Sequence, residues 1–354
     1  MSSDMKMDDA AHARAAPLSV DQAIDRVCAG DHLSEAEAES LFARVAAGEV
    51  GDVPLAGLLV ALKAKGEVAA ELIGAASAFR AAAEPFPRPD YLFADTCGTG
   101  GDGSGTINVS TAVAFVAAAC GLPVVKHGNR SVTSRCGSAD VLEQLGGRID
   151  LAPEQSRRVL DAAGVCFLFA PQYHPAMRHA GAVRRALGVR TLFNMLGPCL
   201  NPARPPVQIV GVAEPRLVAP VAEVLRALGC ERALVVHGDG LDEIALHAAT
   251  DAIRLADGRF EQMVILPEDA GLASAPRDAL VGGDMIENAG RLRALLSGQG
   301  HAAERDIVAI NAGALLMTAG LAVDLKAGTG AALAALSDGR ARQRLEAFVE
   351  ASNA

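Results

Sequence analysis

Residues 95–112 read DTCGTGGDGSGTINVSTA, with five glycines among the eight positions from Gly98 to Gly105 and then Asn108, Ser110 and Thr111. Glycine loses more chain entropy on folding than any other residue, so such a cluster marks backbone that a partner approaches closely. The apolar run YLFADTC precedes the cluster and INVSTAVAFVAAAC follows it. The order is therefore strand, loop, helix N-terminus. That order turns bare N–H groups and the positive end of a helix dipole toward an anion, which predicts a phosphate cradle. A tight turn with Ser110 and Thr111 as ordinary caps would account for one glycine, but not for five.

Two familiar phosphate loops fit poorly. Gly98-x-Gly100-x-x-Gly103 matches the dinucleotide pattern, but that pattern needs an acid at the end of the next strand. Here the next strand ends in Lys126-His127-Gly128-Asn129-Arg130. No Gly-Lys-Ser/Thr closes the loop, which excludes a P-loop. Asp102, inside the loop, suits a ribose hydroxyl or a metal shell better than a bare pyrophosphate.

Two more polar groups follow predicted strands. Lys126 and Arg130 offer cations to a phosphate, with Asn129 and Ser138 as neutral donors; taken singly, each could be an exposed loop residue. The run RALVVHGDGLDE ends in Asp242-Glu243. Adjacent carboxylates there could collect Mg²⁺ with its waters, or could be an acid pair favoured by a helix dipole. Open α/β sheets bind ligands at the carboxyl ends of their strands. An anion cradle, cations and a carboxylate pair meeting there describe a magnesium-diphosphate ester of a sugar.

The elements that must position these groups change character along the chain. Residues 18–85 are helical by period and composition, with a capping box at Ser34 and Glu37 and a stop at Gly48. PFPRPD at 85–90 is a stiff linker. Beyond it the apolar runs 91–97, 122–128, 165–171, 207–213 and 232–238 alternate with helical segments at 110–120, 139–145, 153–163 and 216–228. This predicts the α/β class, a mostly parallel central sheet covered on both faces. Helices return after residue 283, and GLASAPRDALVGG is a loop. The segment 174–188 is helical, and it is expected to pack back on the N-terminal helices. The division is then a helical domain of 18–85, completed by about 173–190, and an α/β domain of 91–172 and 191–354.

Composition limits the partners. The chain has 354 residues, 51% hydrophobic, with a formal net charge of −10 and no long basic block, which disfavours nucleic acid and anionic membrane. Residues 1–17 lack an apolar core and read as a disordered tail. No apolar stretch is long enough to span a bilayer. Seven cysteines without CxxC spacing predict reduced, mostly buried thiols in a cytoplasmic protein.

GTGGDGSGTINVST, KHGNR, GSADVLEQLGG, HPAMR, RRALGVRTLFNMLGP-x-LNPA and GDGLDE occur in that order. Together they resemble the anthranilate phosphoribosyltransferase family from about residue 20 to the end. The resemblance implies a helical N-terminal domain with an α/β domain, a homodimer, Mg²⁺ as cofactor, and anthranilate and 5-phosphoribosyl 1-diphosphate as substrates. It implies diphosphate-sugar contacts at Gly98, Gly101, Asp102, Thr106, Asn108, Val109, Ser110, Thr111, Lys126, His127, Gly128, Asn129, Arg130, Ser131, Val132, Thr133, Ser134 and Ser138. Ser110, Asp242 and Glu243 would hold magnesium. Gly98, Asn129 and Arg184 would meet anthranilate, with His127 and Tyr173 nearby and Arg184 preferred over Arg185.

Arg135, Cys136 and Cys199 depart from the family pattern at positions expected to affect loop packing only. No side chain is expected to act as an acid or base, because an aromatic amine is already neutral at pH 7; electrostatics and positioning carry the reaction. A pyrimidine nucleoside phosphorylase of the same architecture is the alternative, disfavoured by Asp242-Glu243. His174 and His179 are expected to be satisfied surface or capping residues, His237 and His247 have no evident role, and FNMLGPCLNPARPP is expected to serve packing.

Overall fold

The computed structural model describes residues 18–131 and 135–354. The expected tail at 1–17 lies outside the described residues, as do Val132, Thr133 and Ser134 of the expected site.

The N-terminal helices are Val20–Cys28, Glu35–Ala46, Asp52–Lys65 and Ala69–Ala81. Ser34 caps the second through a box with Glu37, as its sequence predicts. Their apolar faces bury Leu41, Phe42, Leu55, Leu58, Leu59 and Phe79 in one core. The helix Arg178–Leu187 packs on Asp52–Lys65 and Glu35–Ala46, and Leu192–Leu196 packs on Ala69–Ala81. Phe193 stands edge-on to Phe42 and Phe79, at 6.1 and 5.2 Å between ring centroids.

Seven strands form the sheet: β1 (Ala94–Gly98), β2 (Val124–Gly128), β3 (Val165–Phe169), β4 (Val207–Gly211), β5 (Arg232–His237), β6 (Thr250–Ala256) and β7 (Arg259–Ile265). Their spatial order is β3-β2-β1-β4-β5-β6-β7. The first five are parallel, and β6 and β7 join antiparallel. The expected five strands and four intervening helices are present with small shifts at their ends. The β6–β7 hairpin is an addition. Its turn is Asp257-Gly258, both at positive φ (51° and 72°), the two-residue geometry that Asp-Gly favours.

Successive strand residues enter different cores, as the period of two requires. Val207, Ile209, Leu234 and Val236 join the core beneath the helix Val109–Ala119 and the C-terminal helices. Val210, Val212, Ala233 and Val235 join the core shared with the N-terminal helices. The C-terminus folds as Met285–Leu296, Ala302–Ala319, Leu325–Ser337 and Arg340–Asn353. Among the described residues no helix is long and apolar enough to cross a membrane. All seven cysteines are free; four are buried and Cys28 is exposed.

Candidate active site

The strand order reverses direction at β1, whose neighbours β2 and β4 lead to the two halves of the sheet. Such a switch point opens a crevice at the carboxyl ends of the strands. The glycine loop, the end of β2 and the turn after β5 all stand there. In the loop, Gly100, Gly101, Gly103 and Gly105 have φ of 66°, 73°, 69° and 60°, a region side chains rarely enter. Helix Val109–Ala119 starts beyond the loop, and every one of its residues except Ser110 is buried.

The loop lies against Asp242. Asp242 Oδ2 accepts a hydrogen bond from the Gly100 N–H at 2.7 Å, and the Asp242 N–H approaches Asp102 Oδ2 at 3.4 Å. A Cβ at Gly98 would overlap the Asp242 carboxylate, and one at Gly211 its backbone carbonyl. Gly211, at the end of β4, is therefore needed as much as Gly98, although nothing in VQIVGVA announces it.

Crowding sets the charge of this corner. Burial, then the neighbouring Asp102, pushes the Asp242 carboxyl up to about 7. Burial and then Asp242 raise Glu243 well above its ordinary value, opposed by Lys126. The Ser110 backbone N–H faces Glu243. Lys126 is buried and donates to the Thr96 carbonyl at 2.6 Å and to Ser110 Oγ at 3.0 Å. One lysine thus faces several crowded carboxylates. Ser110, Asp242 and Glu243 supply hard oxygen donors, so the residues present fit Mg²⁺. Among the described residues no three His, Cys, Asp or Glu side chains form a complete cage. The protein offers part of a shell, which suits an ion that shares its ligands with substrate phosphates and water.

Beneath Lys126 sits Asp95, fully buried, with its carboxyl raised by desolvation. Its oxygens accept from the Thr96 N–H at 2.8 Å, the His127 N–H at 3.4 Å and Asn201 Nδ2 at 2.8 Å. Asn201 also donates to the Val125 carbonyl at 2.8 Å. The Gly/Pro-rich segment 193–206 therefore serves packing, as expected, but through a buried polar clamp.

Other expected residues are placed differently from one another. Asn108 donates to the Cys136 carbonyl at 3.2 Å and accepts from Asn288 at 3.3 Å. Thr106 bridges Val281, so the loop around residue 280 braces the cradle. Val109 and Thr111 are buried, and among the described residues the Thr111 hydroxyl has no hydrogen-bond partner. Ser138 Oγ reaches the Asn129 carbonyl at 3.3 Å, and its approach leaves no room for a side chain at Gly128. Arg130 is not a free cation for phosphate. Its guanidinium pairs with Glu143 and Asp140 and lies over the Phe169 ring. Asp140, which sequence reasoning passed over, also accepts from the N–H groups of Ser131 and Gly137 and so shapes this loop.

On the acceptor side, Arg184 is half-buried and stacks on Phe193 at 5.3 Å, while Arg185 is exposed. Among the described residues Arg184 has no acidic partner, and burial lowers its pKa from the ordinary value. His127 and His174 are both buried, ring against ring at 5.0 Å. Burial holds His127 well below its usual range and His174 near 4. The expectation of a surface role for His174 fails, because the ring is buried, with the Leu200 and Phe79 backbone facing its nitrogens. Tyr173 is buried with its hydroxyl on Ser156 Oγ at 3.2 Å, so that hydroxyl is engaged in the core. His237 does have a role. Its ring nitrogens bond the Val212 carbonyl at 2.9 Å and the Gly240 N–H at 3.2 Å, which fixes the turn before Asp242.

The glycosyl transferase family helical bundle domain matches residues 21–83, and the glycosyl transferase family a/b domain matches residues 90–342. The anthranilate phosphoribosyltransferase of Sorangium cellulosum is 59% identical over 93% of this chain and 94% of its own length. That of Aeromonas salmonicida is 52% identical over 89% and 93%. The crystal structure of anthranilate phosphoribosyltransferase from Thermus thermophilus superposes with a TM-score of 0.89 at 44% identity, covering 94% of this chain and 99% of that one. A Saccharomyces cerevisiae anthranilate phosphoribosyltransferase, solved in complex with PRPP and Mg, shares the fold at 24% identity with a TM-score of 0.87, covering 94% and 98%. The helical bundle, the mostly parallel sheet and the ordered motifs agree with these likenesses along nearly the whole chain, and it belongs to the anthranilate phosphoribosyltransferase family.

Proposed function

We propose that this chain transfers the phosphoribosyl group of 5-phosphoribosyl 1-diphosphate to the amine of anthranilate, releasing diphosphate, as a step of tryptophan biosynthesis. One observation carries this: the Asp242 and Glu243 carboxylates are crowded against an anion cradle. Acids beside an anion site make sense when a divalent cation comes in with the anion. The curated relatives bear the name of this activity, and the yeast structure of the same fold was solved with PRPP and Mg.

In this mechanism Ser110, Asp242 and Glu243 would hold Mg²⁺. When bound, it would neutralise charge building on the departing diphosphate. The glycine-loop N–H groups and the helix terminus at Asn108 and Val109 bind the diphosphate and oppose that same charge. Lys126 keeps Ser110 Oγ in place from below. The planar fork of Arg184, without an acid of its own, pairs with the anthranilate carboxylate and orients the amine toward C1 of the ribose. Asn129 and Gly98 would meet the same acceptor from the ends of β2 and β1. No residue has to remove a proton before attack, because the amine lone pair is free at pH 7.

The protein acts as a cytoplasmic homodimer. The test is to follow anthranilate fluorescence with protein, phosphoribosyl diphosphate and Mg²⁺, against an EDTA control. Decay that requires every component is the expected result. An unchanged signal with folded protein, together with phosphorolysis of thymidine or uridine, would replace this function with a nucleoside phosphorylase.

A further inference from the structure

The connection Gly188-Val189-Arg190-Thr191 joins two helices, Arg178–Leu187 and Leu192–Leu196, that both bury apolar residues among the N-terminal helices. From it the Arg190 side chain reaches the glycine loop. Nη2 lies 2.7 Å from the Gly100 carbonyl oxygen and Nη1 3.2 Å from that of Gly101. Nη1 also stands 3.7 Å from Glu214, just past β4. The other flank of the loop is tied to β4 itself. The Thr99 N–H donates to the Gly211 carbonyl at 2.9 Å, and Thr99 Oγ1 accepts from the Ala213 N–H at 3.1 Å. A Cβ at Gly101 would lie 2.9 Å from Arg190 Nη2, so this glycine also makes room for the guanidinium.

The geometry of the peptide unit gives these two bonds a consequence. In a trans peptide the C=O and the following N–H point in opposite directions. Fixing the carbonyls of Gly100 and Gly101 on one guanidinium turns the N–H groups of Gly101 and Asp102 away from it, as a pair. Among the described residues neither N–H has a hydrogen-bond partner. A cation on the carbonyl side also polarises each peptide and strengthens its N–H as a donor.

We propose that Arg190 is a positioning residue that aims two consecutive glycine-loop N–H groups at the diphosphate of the donor substrate, and that it links this cradle to the segment bearing Arg184. The link is six residues of chain, from Arg184 at the anthranilate carboxylate to Arg190 at the loop. The inference rests on the phosphoribosyl transfer proposed above. Wild-type turnover, measured in the same assay, separates a failure of that function from a failure of this one.

The experiment compares wild type, Arg190→Ala and Arg190→Gln in steady state, with melting temperature as a check on folding. Loss of a charge-assisted pair of bonds predicts that KM for phosphoribosyl diphosphate rises about tenfold in Arg190→Ala, at little cost in melting temperature. Arg190→Gln keeps one donor but no fork, and should fall between the two. Because the side chain is partly open to solvent, added guanidinium at millimolar concentration should restore part of the loss in Arg190→Ala, while ammonium at equal ionic strength should not. A donor KM within twofold of wild type in both variants would overturn the proposal. So would equal losses toward both substrates that guanidinium does not reverse.

Discussion

The Asp242 carboxylate accepts the Gly100 N–H at 2.7 Å, although 142 residues separate them in the chain. One side chain thus braces the glycine loop and belongs to the proposed magnesium set. The two tasks are separable, since an amide oxygen can accept from Gly100 but carries no charge. Asp242→Asn should keep the fold and melt no lower than wild type, because it removes a crowded charge. Turnover should drop on the order of a hundredfold, with a weaker response to added Mg²⁺. A melting temperature several degrees lower would show that the negative charge itself stabilises the loop.

Gly98 faces the same carboxylate at contact distance. Gly98→Ala must push Asp242 off Gly100 or shift β1. An overpacked site of this kind costs about 1–3 kcal/mol, so both melting temperature and turnover should fall. Full activity at wild-type stability would mean the corner is looser than its geometry indicates.

Arg184 and Arg185 are adjacent, but only Arg184 is half-buried and stacked on Phe193. Arg184→Ala should raise KM for anthranilate by roughly ten- to a hundredfold, the range for losing a charged hydrogen-bond pair. Arg185→Ala should leave it within twofold. The opposite result would move the acceptor contact by one residue.

His174 is buried and neutral, with its pKa lowered to about 4. In the unfolded chain it titrates near 6.5. Between those values the unfolded state binds the extra proton and the native state does not, so stability falls as pH drops through this window. At pH 5 the loss from this residue is about 2 kcal/mol relative to pH 7. The raised Asp242 and Glu243 carboxyls act in the opposite sense over this window, so the test is a difference: the denaturant midpoint of His174→Gln relative to wild type should rise from pH 7 to pH 5. A difference that stays constant with pH would show that His174 does not titrate between its native and unfolded states.

Much of the site was legible because its signals are local. Five glycines between a strand and a helix need no knowledge of the rest of the fold, and neither does KHGN at a strand end. Asp95 gave no such signal. It is a single acid in an apolar strand, and its partner Asn201 lies 106 residues on. Arg190 looked like any other arginine until the fold brought Gly100 and Gly101 to it. Arg130 misled for the converse reason. Its position beside Lys126 suggested phosphate, while Glu143, one helix later, neutralises it. The β6–β7 hairpin was different again. Asp257-Gly258 is a local turn signal, obscured by an exposed edge strand that buries only Ile265.

The strand order places the two substrate grips on different kinds of chain. The proposed donor contacts are spread over the ends of β1, β2 and β5, so altering the grip on the diphosphate means altering three distant stretches at once. Arg184, proposed to meet the acceptor, lies within one uninterrupted excursion between β3 and β4, whose ends are anchored in neighbouring halves of the same sheet. The same excursion also carries Arg190, which reaches the Gly100 and Gly101 carbonyls, and Asn201, which reaches Asp95, so exchanging it whole would disturb the diphosphate cradle as well. A change of nucleophile that keeps the electrophile is therefore confined to substitutions around Arg184 that leave Arg190 and Asn201 in place.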